Sequence, residues 1–245
     1  MILLLEKISK QFDGFRAVED VGFFINKNDI VALIGPNGAG KTTLFNLITG
    51  HLAPDKGRIL FDGKDVTGLP PYKICREGLV RSFQIINIFS TLSVFQNVQM
   101  AILARKGKNL NFLSSVGRLE TEETLFILDQ IGLTAQANNS ASTLPYGDQK
   151  LLELGIALGS NPKLLLLDEP TAGMSLSETN RTLKLIYKLI EKMDLTLLFT
   201  EHNINIVFDL AQRIIVMQQG RIIAEGEPSE VRTNKDVKRA YLGEV

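Results

Sequence analysis

Two short stretches carry residues whose types and spacing could do chemistry. The first is Gly35-Pro36-Asn37-Gly38-Ala39-Gly40-Lys41-Thr42. It fits the pattern of a glycine, four residues, then glycine, lysine and serine or threonine. Glycines let a backbone turn tightly and aim successive N–H groups at one anion. Lys41 is placed to neutralise the β- and γ-phosphate oxygens of ATP, and the Thr42 hydroxyl to ligate Mg²⁺. Thr43 continues the loop into a helix. The second stretch is Leu164-Leu-Leu-Leu-Asp168-Glu169. Four apolar residues deliver two carboxylates to the end of a buried strand, where α/β proteins bind ligands. Asp168 suits a water-mediated Mg²⁺ contact. Glu169 is placed to polarise an attacking water as a general base.

These side chains need a scaffold that brings distant strand ends together. Ile30–Ile34, Leu164–Leu167, Leu195–Phe199 and Ile214–Met217 are short and almost wholly apolar. Such runs suit strands buried on both faces of a parallel sheet, with helices as the crossovers between them. The strand at Ile30–Ile34, the loop, and a helix over Thr43–Ile48 ending at Gly50 give the phosphate motif the setting it requires. Half-apolar runs in the first third, such as Arg58–Phe61 before the turn Asp62-Gly63, predict a small antiparallel sheet. Residues 87–159 read as helical. Leu125, Leu128 and Ile131 recur at helical spacing, Gly132 is a natural stop, and Leu151–Leu158 is again helical. Arg105–Gly117 is expected as a loop. The expected division is one domain over 1–245, with a core of 1–86 and 160–245 and a helical part over 87–159.

Bulk properties narrow the function. The 245 residues are 44% apolar and 22% charged, with 27 basic and 27 acidic side chains. That balance argues against a free-standing nucleic-acid binder, which usually shows a basic excess. The single cysteine, Cys75, is expected as a small packed residue in a reducing compartment. No apolar run approaches the ~20 residues of a membrane-spanning helix. The start of the sequence does not read as a secretion signal. The expectation is a cytosolic chain that meets a membrane only through a partner.

Taken together, these motifs and their neighbours resemble the nucleotide-binding subunit of ABC transporters over Leu3 to Gly243. Between the phosphate motifs lie Gln84, in Arg81-Ser-Phe-Gln84, and Leu144-Pro-Tyr-Gly-Asp-Gln149; after them comes His202, in Thr200-Glu-His202. Their order and spacing match that family's Q-loop, signature segment and switch histidine. The resemblance implies an α/β fold of the P-loop NTPase type, with a three-layer core, an antiparallel β subdomain and a helical subdomain. It implies that Phe12 stacks on adenine with Ala17 beside it, and that Gln84 touches Mg²⁺ and the attacking water. It implies that His202 contacts the γ-phosphate, and that Tyr146 and Gly147 of one subunit face ATP held by a second. The family works as such a dimer, homo- or heteromeric, peripheral at the cytoplasmic face of the membrane. Its partners are transmembrane permease subunits and, indirectly, a solute-binding protein. His51 has no such match and is expected at the surface.

The sequence departs from the family pattern at two places. Pro145 stands where a serine would offer its hydroxyl and N–H, and proline offers neither donor. Ser175 stands where an aspartate is usual. The expectation is a weakened composite site beside a different ATPase subunit. Gly78–Gln84, Thr91–Asn97, Thr171–Met174 and the tail from Ile223 through Glu244 are similar to ATPase subunits of branched-chain amino acid importers and of urea importers. Ala172–Thr179 leans toward the urea type, and the tail is shared with the lipopolysaccharide-export ATPase. Residues 85–100 are expected to meet the membrane subunit. Two other readings compete with an importer ATPase. One is a soluble ATPase of ribosomes or DNA, disfavoured by the single ATPase unit, the lack of a long insert and the charge balance. The other is a regulator that barely hydrolyses ATP, disfavoured by Glu169 and His202.

Overall fold

A computed structural model describes residues 1–82, 87–107 and 120–242. Gln84, the parts of Arg105–Gly117 from residue 108 on, and the final residues of the tail lie outside the described residues.

Among the described residues ten strands build two sheets. The chain opens with β1 (Leu3–Phe12), β2 (Phe15–Ile25) and β3 (Ile30–Ile34), then α1 (Lys41–Ile48), β4 (Lys56–Phe61) and β5 (Lys64–Asp65). Strands β1, β2, β4 and β5 form an antiparallel sheet in the order β2-β1-β4-β5. Next come α2 (Pro71–Glu77), β6 (Leu79–Ser82), α3 (Val94–Arg105), α4 (Thr121–Gln130) and α5 (Tyr146–Gly159). The last third holds β7 (Leu164–Asp168), α6 (Leu176–Met193), β8 (Thr196–Thr200), α7 (Ile204–Leu210), β9 (Arg213–Gln218), β10 (Arg221–Gly226), α8 (Pro228–Thr233) and α9 (Lys235–Leu242). The second sheet runs β10-β9-β3-β8-β7-β6, parallel except for the hairpin strand β10.

Period-two alternation explains the layers. Every residue of β3, β7 and β8 is buried, and successive side chains point to opposite faces. Val31, Leu33, Leu164, Leu166 and Leu198 join one core with α1 and the antiparallel sheet. Ile30, Ala32, Ile34, Leu165, Leu167, Leu197 and Phe199 join another with α3 to α7. The result is a three-layer α/β core with a β sheet on one side and a helical group on the other. Burying each Leu, Ile or Phe this way stabilises by about 1.5–3 kcal/mol before chain entropy is counted.

The described residues of 87–159 include α3, α4 and α5. Leu128 and Ile131 are buried, but Leu125 is 40% exposed. Its position on α4 is three residues before Leu128, which places it at the rim of the apolar stripe, beside a groove that it shares with Met100 and Phe95. Gly132 ends this helix with φ 71°. Cys75 is half-buried against the helical-side core, where burial pushes its thiol pKa up. Ser175, in place of the expected aspartate, is the N-cap of α6. Its hydroxyl accepts from the Glu178 N–H, while the Glu178 side chain accepts from the Ser175 N–H. His51 is exposed, as expected.

Candidate active site

The phosphate motif folds as the loop between β3 and α1. Gly40 adopts φ 102° at the N-cap of α1. A Cβ there would lie 2.4 Å from the Ala17 carbonyl oxygen, so no other residue fits without moving backbone. A Cβ at Gly38 would meet nothing within 4 Å, so the loop is open to solvent at that point. The N–H groups of the first turn of α1 have no partner within the helix and suit an anion. The Lys41 side chain instead folds back. Its Nζ donates to the carbonyls of Gly35 at 2.6 Å and Pro36 at 3.2 Å. Burial lowers the pKa of Lys41, and the charges of Glu169 and Asp168 partly restore it.

The carboxylates arrive from neighbouring strands. Asp168 pairs in register with Thr200, and the Thr200 hydroxyl donates to Asp168 Oδ1 at 2.8 Å. Asp168 Oδ2 takes a hydrogen bond from Arg81 Nη2 at 2.6 Å. Glu169 turns out of the strand with φ 51°. Its N–H donates to the backbone oxygen and to the hydroxyl of Thr200, each at 3.1 Å. His202 Nε2 lies 2.7 Å from Glu169 Oε1. The loop after Glu169 is tied down as well. Thr171 donates to the buried Glu201 from its N–H at 3.0 Å and its hydroxyl at 2.7 Å.

A cavity of about 260 Å³ opens where these parts meet, lined by Ala17, Asn37 through Thr43, Glu169 and His202. Its aromatic wall is Phe15. Phe12 is not part of the lining. It pairs directly with Phe15 across the Asp13-Gly14 turn, so both rings stand on one face of the hairpin. Phe12 is 40% and Phe15 65% exposed.

The donors present suit a nucleoside triphosphate and Mg²⁺. Inward amides and a desolvated lysine favour phosphate. Thr42 and Asp168 offer hard oxygen donors. Among the described residues no three His, Cys, Asp or Glu side chains group into a metal cage.

Tyr146 and Gly147 begin α5 and do not line this cavity. Pro145 is the N-cap of that helix and makes no side-chain cap bond. Three contacts tie this end to the segment after Glu169. The Tyr146 hydroxyl donates to the Ala172 carbonyl at 3.2 Å. Arg181 Nη1 donates to Asp148 Oδ1 at 2.9 Å. The Glu178 carboxyl lies against Gly147, with Oε1 2.7 Å from where a Cβ would sit. Its pKa is lowered first by the Ser175 hydroxyl and N–H, and further by the Gly147 amide and by Arg181.

Sequence reasoning missed Phe15, Arg81 and Thr200. Arg81 stood inside a quoted stretch, but its partner lies 87 positions away, and no local pattern reports such a contact.

A strand-end carboxylate pair facing a glycine-rich phosphate loop across parallel strands defines a nucleotide-hydrolysing P-loop enzyme. A family profile described as ABC transporter matches residues 18–172. A second profile, branched-chain amino acid ATP-binding cassette transporter, matches residues 221–245. The chain belongs to the ABC transporter family, among its ATP-binding, ATP-hydrolysing subunits. It is 38% identical to the high-affinity branched-chain amino acid transport ATP-binding protein BraF of Pseudomonas aeruginosa, covering 100% of this chain and 98% of that one. It is 38% identical to LivG of Escherichia coli, with the same coverage. It is 35% identical to the lipopolysaccharide export system ATP-binding protein LptB of Haemophilus influenzae, covering 99% and 98%. A crystal structure of the ADP conformation of an ATP-binding cassette superimposes with a TM-score of 0.86 at 34% identity, over 99% of both chains.

Proposed function

We propose that this chain couples ATP hydrolysis to the import of branched-chain amino acids or a related small solute such as urea. The observation that carries the reading is the convergence of the phosphate loop, Glu169 and His202 on one cavity, in a chain similar along its full length to branched-chain amino acid transport subunits. In this reading Gly35 through Thr43 cradle the phosphates, and Lys41 leaves its carbonyls for the β- and γ-phosphate oxygens. Thr42 and Asp168 hold Mg²⁺, with Gln84, and the ion would neutralise charge on the phosphates. Glu169 takes a proton from the attacking water while His202 holds its carboxylate in place. Ala17 and the aromatic pair Phe12 and Phe15 flank the base. Tyr146 and Gly147 face the nucleotide of a second ATPase subunit.

The same reading divides the chain into a core of 1–86 and 160–245 and a helical part of 87–159, the latter meeting permease subunits. Among the described residues no helix is long and apolar enough to cross a membrane. Attachment at the cytoplasmic face therefore runs through those permeases. A second reading, an exporter ATPase, draws on the likeness to LptB.

The test is reconstitution in vesicles with candidate permease and solute-binding proteins of the branched-chain amino acid type. Leucine or urea uptake should require ATP, and Glu169→Gln should bind ATP but lose at least ~100-fold in turnover. ATP-independent uptake, or an unchanged rate in that variant, would defeat the proposal.

A further inference from the structure

Arg81 occupies an unusual place between two parts of the site. It lies on β6, in parallel register with Leu166 of β7, so its side chain can reach two residues along that strand to Asp168. The side chains of Arg81 and Asp168 are 6% and 5% exposed, and they meet at 2.6 Å. The other arm of the guanidinium, Nη1, donates to Asn46 Oδ1 at 2.6 Å. Its plane lies over the Phe45 ring, 5.4 Å from the centroid. Asn46 sits four residues after Thr42 on α1, and positions four apart share one helix face. One planar fork thus spans from the Thr42 face of α1 to the carboxylate at the end of β7.

We propose that Arg81 is a positioning residue for the groups that would hold Mg²⁺, a staple that fixes Asp168 relative to the Thr42 face of α1. This rests on the reading of Thr42 and Asp168 as the metal-holding pair. The bond from the Thr200 hydroxyl holds the other Asp168 oxygen, so the carboxylate is fixed at both ends. Groups that orient a metal-bearing side chain typically change affinity ten- to a hundredfold when lost, on the order of the effect expected here. A lysine keeps the charge and three donors but gathers them at one point, without the planar fork that spans the distance from Asp168 to Asn46.

The experiment uses the full chain carrying Glu169→Gln to stop turnover. Binding of a fluorescent ATP analogue is titrated with Mg²⁺, and repeated in EDTA. Arg81→Met should raise the half-saturating Mg²⁺ concentration about tenfold or more. Arg81→Lys and Asn46→Ala, which keep more of the packing, should raise it about threefold to tenfold. Binding in EDTA should change less than about twofold in all of them, a separation that a merely structural role would not produce. Thr42→Ala and Asp168→Asn are the controls. If they shift the Mg²⁺ requirement and both Arg81→Lys and Asn46→Ala leave it within twofold, the staple is refuted. If the controls also leave it unmoved, the metal-site reading fails with it. Equal losses with and without Mg²⁺ would also overturn the proposal, since they mark a general folding defect.

Discussion

The Lys41 side chain already satisfies itself on loop carbonyls, so its contribution to ATP binding is a difference between two bonded states. In the proposed reading it exchanges two neutral acceptors for two charged phosphate oxygens on binding. The ammonium already makes its bonds to the carbonyls charge-assisted, so each exchange adds only the attraction to the oxygen's own charge, about 1–1.5 kcal/mol at a solvent-screened site. Replacing Lys41 by Met, similar in length but without charge or donors, should therefore cost about 2–3 kcal/mol of binding. That is a rise of about 30- to 150-fold in Kd. The nucleotide-free protein should change by no more than about 1 kcal/mol, because a desolvated cation is removed along with its bonds. Thermal melting separates the two effects. With ATP at about a thousand times the parent Kd, the parent gains about 4 kcal/mol from ligand, and the variant only about 1–2. The ATP-induced rise in Tm should fall accordingly, while the nucleotide-free Tm moves by a few degrees at most, about 2–4 °C per kcal/mol. The pH dependence has a definite sign. Burial lowers the folded pKa of Lys41 below the ordinary 10.5. The nucleotide-free fold therefore gains stability relative to the unfolded chain as pH rises through the window from that lowered value to 10.5, and ATP affinity falls over the same window. A Lys41→Met protein that bound ATP within threefold of the parent would refute the exchange.

Other outcomes follow from the same geometry. Gly40→Ala combines a positive φ with a Cβ 2.4 Å from a backbone oxygen, so it should destabilise by about 2 kcal/mol or more in urea unfolding. Pro145→Ser places a capping side chain at the start of α5; it should raise stability by about 0.5–2 kcal/mol in thermal melting and raise ATPase turnover of the assembled complex. Unchanged turnover there would remove the idea of a weakened composite site. Phe12→Ala together with Phe15→Ala should weaken fluorescent ATP binding by about 1–3 kcal/mol, and the two single variants show which ring carries the stack.

The part of the site built from neighbours in sequence was legible. Gly35 to Thr42 and Leu164 to Glu169 each carry their backbone geometry and their functional groups together, and the alternation of the strands follows from period two. What stayed hidden depends on contacts between distant strands. Arg81 against Asp168, Thr200 against the same carboxylate, and Thr171 against Glu201 are consequences of sheet order, which no local spacing encodes. The aromatic wall was half legible. The resemblance pointed to Phe12, while hairpin register brings Phe15 level with it on the same face. Ser175, read as a lost aspartate, serves as a helix cap, and the Ser175-to-Glu178 spacing of that capping box was itself a local signal that could have found it.

The parallel ladder β3-β8-β7 has a mechanical consequence. Lys41, Glu169 and His202 leave the ends of three strands that are hydrogen-bonded side by side. Sliding any of them past its neighbour would break several backbone bonds at once. In the proposed reading the chemistry is thus mounted on an anvil that resists flexing, and the stroke ATP drives is delivered by the pieces bolted around it. Amides of those strands should be among the last in the chain to exchange with deuterated solvent, whether or not nucleotide is bound.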